Sequence, residues 1–289
     1  MLALLALVGV AGPAPAQDSS WPKEITFALL STESAPEIVR RWRPILDQLE
    51  KDLKITIKHV TATDYRGTIE ALKFRKAEVG WLGPKAYVEA THNNYANVEA
   101  IAQVQQANGS LGYRSCLIVH ADSEIFSPED IGGKTFAFND PNSTSGYLVP
   151  TTFFLTEMGI DPAKHFGKVT FSGSHEASIL AVANRKVDVA STNLPDFTQL
   201  VREGKVPRSA LRVIWVSKLI PNDPVAVRKD LPASLRQAIQ ESLVSMKQRS
   251  PEAFGQGGQF FAGFVKADDA KYQVIRDLNE TARRLKEKK

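Results

Sequence analysis

The sequence predicts an α/β protein built from two similar halves, and three observations carry that expectation. Apolar runs of strand length alternate with stretches of helical periodicity from residue 24 onward, the pattern of α/β folds. One segment of the first half is echoed in the second. IEALKFRKAEVGWLG (69–83) aligns without gaps on ILAVANRKVDVASTN (179–193), where Ile, Ala, Arg-Lys and Val coincide and Glu78 meets Asp188. Finally, 289 residues that are 43% hydrophobic and 24% charged, with no low-complexity stretch, suffice for two domains of ordinary size.

The elements follow in order. EITFALL reads as the first strand, and APEIVRRWRPILDQLEKDL has apolar positions at helical spacing. ITIKHV is a second strand, YRGTIEALKFRKA a helix, and VGWLG a short strand closed by Gly83-Pro84. After a further helix, YRSCLIVH is strand-like again. A new unit then begins: a turn and strand in SPEDIGGKTFAFND, then STSGYLVPTTFFLTEMG as a helix that tolerates Pro150 in its second turn. KVTFS, HEASILAVANRK, VDVAS and LPDFTQLVREG continue as strand, helix, strand and helix. LRVIWVS is the last clear strand, a Pro-rich stretch LIPNDPVAVRKDLP follows, and helical periodicity covers about 232–249 and 267–287. The crevice between two such halves, beyond the strand ends, is where open α/β sheets bind ligands.

Several function classes are disfavoured. The formal net charge of +4 is spread among acids, with no basic stripe interleaved with aromatics, so nucleic acid is not an expected partner. The five histidines, at 59, 92, 120, 165 and 175, lack metal-ligand spacing, and no cofactor is expected. No Walker A loop and no GxGxxG fingerprint occur. Cys116 is the single cysteine, so no internal disulfide forms, and its place in SCLIV predicts a buried strand thiol. Trp42, Trp81 and Trp215 read as core, and Asp188, at a strand start, as structural. The opening MLALLALVGVAGPAPAQ pairs a short apolar run with an A-x-A-like site before Gln17. It predicts an exported protein with a signal peptide over 1–16, although basic residues are missing from its start.

The stretch DPNSTSGYLVP places Ser143, Thr144 and Ser145 together before Gly146 at the expected start of a helix. One hydroxyl caps a helix; three, joined by free backbone N–H groups, make a socket for a small anion. Together with VGWLGPKAYVEA, GYRSCLIV, GSHEAS and LIPNDPVAVRKDLP, this stretch resembles the phosphonate/phosphite-binding periplasmic components of ABC importers.

The resemblance implies a two-lobed periplasmic-binding-protein (type II) architecture with a hinge and an interdomain ligand cleft. It implies a first lobe over 17–117, a second over 118–216, a return to the first over 217–289, and hinge crossings near 113–120 and 214–224. By the same resemblance Ser143, Thr144 and Ser145 form the hydroxyl socket, and Tyr65 and Tyr113 reach the anion from the first lobe. His175 donates from a second helix start, and Asp223 stands at the hinge side. Hydroxyls, phenols, amides and an imidazole N–H suit a phosphorus oxyanion, whose oxygens accept hydrogen bonds. A carboxylate beside such an anion needs a proton or cation between them. The second acid of aminoalkyl-phosphonate binders falls by spacing near Pro195, where no acid stands, and the neighbouring Asp196 is expected to point elsewhere. The implied ligand is therefore small: phosphite, hypophosphite or methylphosphonate. The protein is expected to be a periplasmic monomer, not an enzyme, that hands its ligand to an inner-membrane ABC permease with a cytoplasmic ATPase. The alternatives are a binder of another oxyanion or a carboxylate, and a secreted serine hydrolase using Ser143 or Ser145, His175 and Asp188 or Asp223. The hydrolase reading lacks a GxSxG elbow.

Overall fold

The computed structural model describes residues 19–255 and 261–287; the expected signal peptide at 1–16 lies outside the described residues. Strand β1 (Glu24–Leu29), helix α1 (Ala35–Leu53), β2 (Thr56–Thr61), α2 (Tyr65–Lys73), β3 (Val79–Trp81), α3 (Pro84–Thr91) and β4 (Val98–Gln106) open the chain. Then come β5 (Gly112–Tyr113), β6 (Ser115–His120), β7 (Thr135–Phe138), α4 (Val149–Thr156), α5 (Pro162–His165), β8 (Lys168–Phe171), α6 (His175–Ala183), β9 (Val189–Asn193), α7 (Leu194–Arg202) and β10 (Leu211–Val216). The chain closes with β11 (Ile220–Pro221), β12 (Pro224–Arg228), α8 (Ala233–Arg249), α9 (Glu252–Gly255), β13 (Phe261–Lys266) and α10 (Gln273–Glu287).

These strands form two main sheets, in the orders β13-β4-β12-β3-β1-β2 and β10-β6-β9-β7-β8. In each, a strand is flanked by two parallel partners: β1 by β2 and β3, and β7 by β8 and β9. In each, the next strand runs antiparallel and comes from beyond a chain crossing, β12 in the first lobe and β6 in the second. The crossings at 113–115 and 216–220 lie beside a two-stranded ribbon in which Ile220 pairs with Tyr113 and Pro221 with Gly112. β6 lies wholly in the second sheet, so its first residues, from Ser115, belong to that sheet.

The internal echo marks equivalent elements. Both copies end a helix on a residue in the left-handed region, Arg75 at φ 58° and Arg185 at φ 55°. Their amides return to Leu72 and Val182 carbonyls. The acid that follows meets the strand between the two parallel partners of its own sheet: Glu78 accepts from the Thr26 N–H at 2.9 Å, and Asp188 from the Thr135 N–H at 2.8 Å. Asp188 is thus a structural residue.

Besides the two-residue β11, three strands escape the sequence reading. β4 is rich in Ala, Gln and Glu, which lack strand preference. β12 is buried along its whole length inside a Pro-rich stretch, and β13 follows a gap in the described residues. LRVIWVS is therefore not the last strand; β12 is central to the first sheet because its burial between β3 and β4 overrides its flanking prolines.

Trp42 of α1 centres the first lobe's core, with ring centroids 5.3 Å from Phe27, 5.1 Å from Trp81 and 5.7 Å from Phe261. In the second lobe β6 is apolar on both faces, as a strand covered on both sides must be. Cys116 and Ile118 face α6 and α7, while Leu117 and Val119 face the aromatic cluster of Phe136, Phe153 and Phe154. Burial pushes the Cys116 thiol pKa up, which keeps it protonated. Trp215 is half-buried, stacked on Phe153 at 4.4 Å. Among the described residues no helix is long and apolar enough to cross a membrane. Trp42→Ala is expected to destabilise the first lobe by about 3–5 kcal/mol, the usual cost of emptying a buried aromatic site, measured by urea unfolding followed by far-UV circular dichroism.

Candidate functional site

The hydroxyl stretch does not form the first turn of an ordinary α-helix. Residues Thr144–Leu148 make one π turn, and α4 starts only at Val149. Pro150 supplies the reason: it has no N–H to give to the carbonyl of Gly146 four residues earlier. That carbonyl instead accepts from the Asn139 N–H at 3.0 Å and the Ser191 hydroxyl at 2.7 Å. The Leu148 N–H reaches back to Ser143 at 3.1 Å, which widens the turn. The Ser115 hydroxyl donates to the Ser145 carbonyl at 2.6 Å. The turn is thus fastened to the ends of β6, β7 and β9. Gly146 is required there, since a Cβ would stand 2.3 Å from the Asn139 Cβ.

This fastening sets the direction of the hydroxyl protons. Ser143 Oγ accepts from the Gly146 N–H at 3.0 Å, so its own proton is left to donate. Thr144 Oγ1 accepts from the Lys85 N–H of the first lobe at 2.8 Å and likewise keeps a proton to give. The Ser145 and Thr144 hydroxyls lie near the Tyr113 phenol and oppose the rise in its pKa. Tyr65 and Tyr113 both have pKa values well above the usual phenol range, first because they are buried and then because carboxylates lie near. Both remain protonated donors.

His175 opens α6 behind its N-cap Ser174. Its Nδ1 lies 3.1 Å from Thr192 Oγ1, and burial alone pushes its pKa down to about 3, so the ring is neutral. The neutral ring carries one proton, and it sits on Nε2 if the Thr192 hydroxyl donates to Nδ1. The side-chain hydrogen bond of the histidine goes to Thr192 and not to Ser143 or Ser145, the serines of the hydrolase reading.

Tyr65, Tyr113, Ser143, Thr144, His175 and Asp223 line one cleft between the lobes. Ser145 does not line it and lies near the Tyr113 phenol. Asp223 follows Asn222, whose side-chain amide donates to the Val104 carbonyl at 2.8 Å and accepts from Gln106 at 3.0 Å. Asp223's pKa is raised well above the usual carboxylate range by burial and then by Asp196. The Trp81 indole N–H opposes this from nearby, though short of hydrogen-bond geometry.

Asp196 corrects the sequence reading, because it lines the same cleft. Pro195 occupies the first turn of α7, and Asp196 folds back onto the N-cap Asn193 at the end of β9. The Asn193 side chain accepts from the Asp196 N–H at 2.8 Å and donates to Oδ2 at 2.5 Å. This reciprocal cap turns the carboxyl toward the cleft. Oδ1 is buried with no hydrogen-bond partner in the structure. Burial, then Glu33 and Glu176, push its pKa up to about 7 against the opposing Asn193 and Arg41. An acid therefore does stand beside Pro195. Thr32, just after β1, also lines the cleft with a buried, unpartnered hydroxyl. Both Thr32 and Asn193 lie at carboxyl ends of parallel strands, the general position that could have singled them out.

The cleft combines uncharged donors with two carboxylates, and among its described lining residues there is no lysine or arginine. Two lobes closing over a polar interlobe cavity define the class of two-lobed, type II solute-binding proteins. The sequence model of the family described as "ABC transporter, phosphonate, periplasmic substrate-binding protein" matches residues 27–272. The Escherichia coli phosphonates-binding periplasmic protein is 35% identical over 268 residues, covering 91% of this chain and 78% of that one. The solved binding protein component of an ABC phosphonate transporter from Pseudomonas aeruginosa superposes with a TM-score of 0.84 at 34% identity, covering 91% of this chain and 87% of that one. PhnD1 from Prochlorococcus marinus, in complex with methylphosphonate, shares the fold with a TM-score of 0.78 at 21% identity, covering 89% of this chain and 97% of that one. The chain belongs to the phosphonate family of periplasmic substrate-binding proteins of ABC transporters, and is a binding component rather than an enzyme.

Gly146→Ala is expected to push the turn off Asn139 and misdirect the Ser143 and Thr144 donors. Calorimetry with phosphonates should show affinity reduced by more than about tenfold, equivalent to losing roughly one charge-assisted hydrogen bond, while circular dichroism shows both lobes folded.

Proposed function

We propose that this protein captures a phosphonate whose organic group carries an ammonium, and hands it to an inner-membrane ABC permease driven by a cytoplasmic ATPase. The phosphonate oxygens take the protons of Ser143, Thr144, Tyr65, Tyr113 and His175. The ammonium lies against Asp196 and Asp223. The observation that carries this reading is the unpartnered, buried Asp196 Oδ1 in the same cleft as the donor set.

The argument is one of charge. An oxyanion beside two carboxylates is repelled unless a proton or cation intervenes. An ammonium within the ligand supplies that cation and satisfies an otherwise orphaned acceptor. The smaller ligands, phosphite, hypophosphite and methylphosphonate, were implied by the expectation that no acid stood near Pro195. With Asp196 in the cleft that ground is gone. Such ligands would bind only with a carboxyl protonated. Ligand contacts from both lobes favour the closed arrangement, with bending at the paired crossings, and the protein acts as a monomer.

2-Aminoethylphosphonate is expected to bind at least about tenfold more tightly than methylphosphonate or phosphite, as befits a charge-assisted bond. Asp196→Asn should erase that preference and leave methylphosphonate binding intact. Tighter binding of phosphite, methylphosphonate or phosphate in competitive calorimetry would overturn the reading.

The pH dependence has a definite sign. A carboxyl whose pKa is raised from 3.8 to about 7 on folding supports the fold fully below 3.8, and that support is lost as pH climbs through 7. Without ligand, Asp196→Asn should therefore gain thermal stability relative to wild type at pH 8 and little at pH 4. With an ammonium ligand the carboxylate is the binding form. Calorimetry below pH 7 in buffers of different ionisation enthalpy should then register proton release from Asp196, absent in Asp196→Asn.

A further inference from the structure

The first lobe presents three helix N-termini to the second, and each receives an acceptor from across the cleft. Helix α1 begins Ser34-Ala35-Pro36-Glu37, the pattern of a reciprocal Ser/Glu cap. That cap is not made: Ser34 has no side-chain cap bond, and Glu37 bonds Arg40 instead. Glu176 of the second lobe takes its place, accepting from the Ser34 N–H at 2.9 Å, and its own N–H donates to the Thr32 carbonyl at 3.3 Å. At α2, Asp140 accepts from the Tyr65 N–H at 3.3 Å. At α3, where the N-cap Gly83 has no side chain, Thr144 accepts from the Lys85 N–H at 2.8 Å. Beyond them, buried Arg41, held by Glu33 at 2.9 Å, reaches Glu203 of the second lobe at 2.7 Å.

We propose that the second lobe completes the helix starts of the first, so that Asp140, Thr144 and Glu176 form a cross-lobe capping ring whose bonds exist only when the lobes are closed. Amides at a helix start lack intrahelical partners and must be satisfied elsewhere. Opening the cleft returns these amides to water and costs the cap. Closing it orients Thr144, whose oxygen is occupied by the Lys85 N–H and whose proton is thereby left for the ligand. Asp140 and Glu176 do not line the cavity. They are positioning residues that set affinity through the closed population, in proportion to the fraction of molecules already competent to bind.

Glu176 is the informative probe, because Asp140 also braces the hydroxyl turn through the Asn142 N–H at 2.6 Å. Glu176→Ala removes the acceptor. Ser34→Pro removes the donor from the other lobe, and Ser34 already has φ −60°, the value that proline imposes. Single-molecule energy transfer between dyes on the two lobes, without ligand, should show the closed fraction falling by about tenfold in each variant, the scale of a lost cap. The double variant should fall no further. 2-Aminoethylphosphonate should dissociate faster by a similar factor with its association rate little changed, and Glu176→Gln, which keeps an oxygen acceptor, should restore both. A closed fraction unchanged in either variant, or losses that add in the double variant, would overturn the proposal. The ligand arm alone rests on the phosphonate reading. Should the wild type bind no phosphonate while the closed fraction still falls, the capping ring stands and that reading fails.

Discussion

Charge balance in a buried cleft is the constraint on which the rest of this molecule depends. The cavity is lined by neutral donors and two carboxyls, and burial raises the pKa of both acids. A site of that composition is poorly suited to a bare polyanion and well suited to a ligand that brings its own positive end. Neutral donors also avoid the desolvation of a buried lysine or arginine, so the hydrogen-bond count, rather than net charge, sets recognition of the anionic end. The neutrality of His175 belongs to the same logic, since a buried imidazole with a threonine partner remains a one-proton donor.

The scaffold meets this constraint by repeating one plan. Each lobe carries a parallel strand trio followed by an antiparallel strand from beyond a crossing, so strand ends and helix starts of both lobes converge on the cleft. The convergence brings the helix starts of the first lobe against the second, and amides of Ser34, Tyr65 and Lys85 are satisfied by side chains of the opposite lobe. The π turn at Thr144–Leu148 serves lobe and cavity alike, because Thr144 accepts from one lobe and keeps a proton for the cavity.

Much of this was legible in the linear chain. The strand–helix alternation, the buried strand around Cys116, the hydroxyl run, the helix start at His175 and the structural role of Asp188 all follow from local pattern. The echo between 69–83 and 179–193 encodes the same left-handed helix end and strand-bracing acid in both copies. What failed were readings in which local composition and tertiary setting disagree. β4 has a helix-like composition and lies in the middle of a sheet; β12 lies among prolines and is buried along its length. Asp196 looked one residue out of place, yet its capping bond to Asn193 brings the carboxyl into the cleft.

Periodicity, turn chemistry and side-chain type, all properties of residues a few positions apart, sufficed to establish the class of fold and to single out the hydroxyl run that lines the cleft. Tertiary structure alone decided which acids share the cavity, which strands hold the hydroxyl turn, and that Glu176 rather than Glu37 completes α1. Those outcomes depend on groups far apart in the chain, 142 residues in the case of Ser34 and Glu176, and an unsatisfied amide or carboxyl takes whichever partner the packing brings within reach.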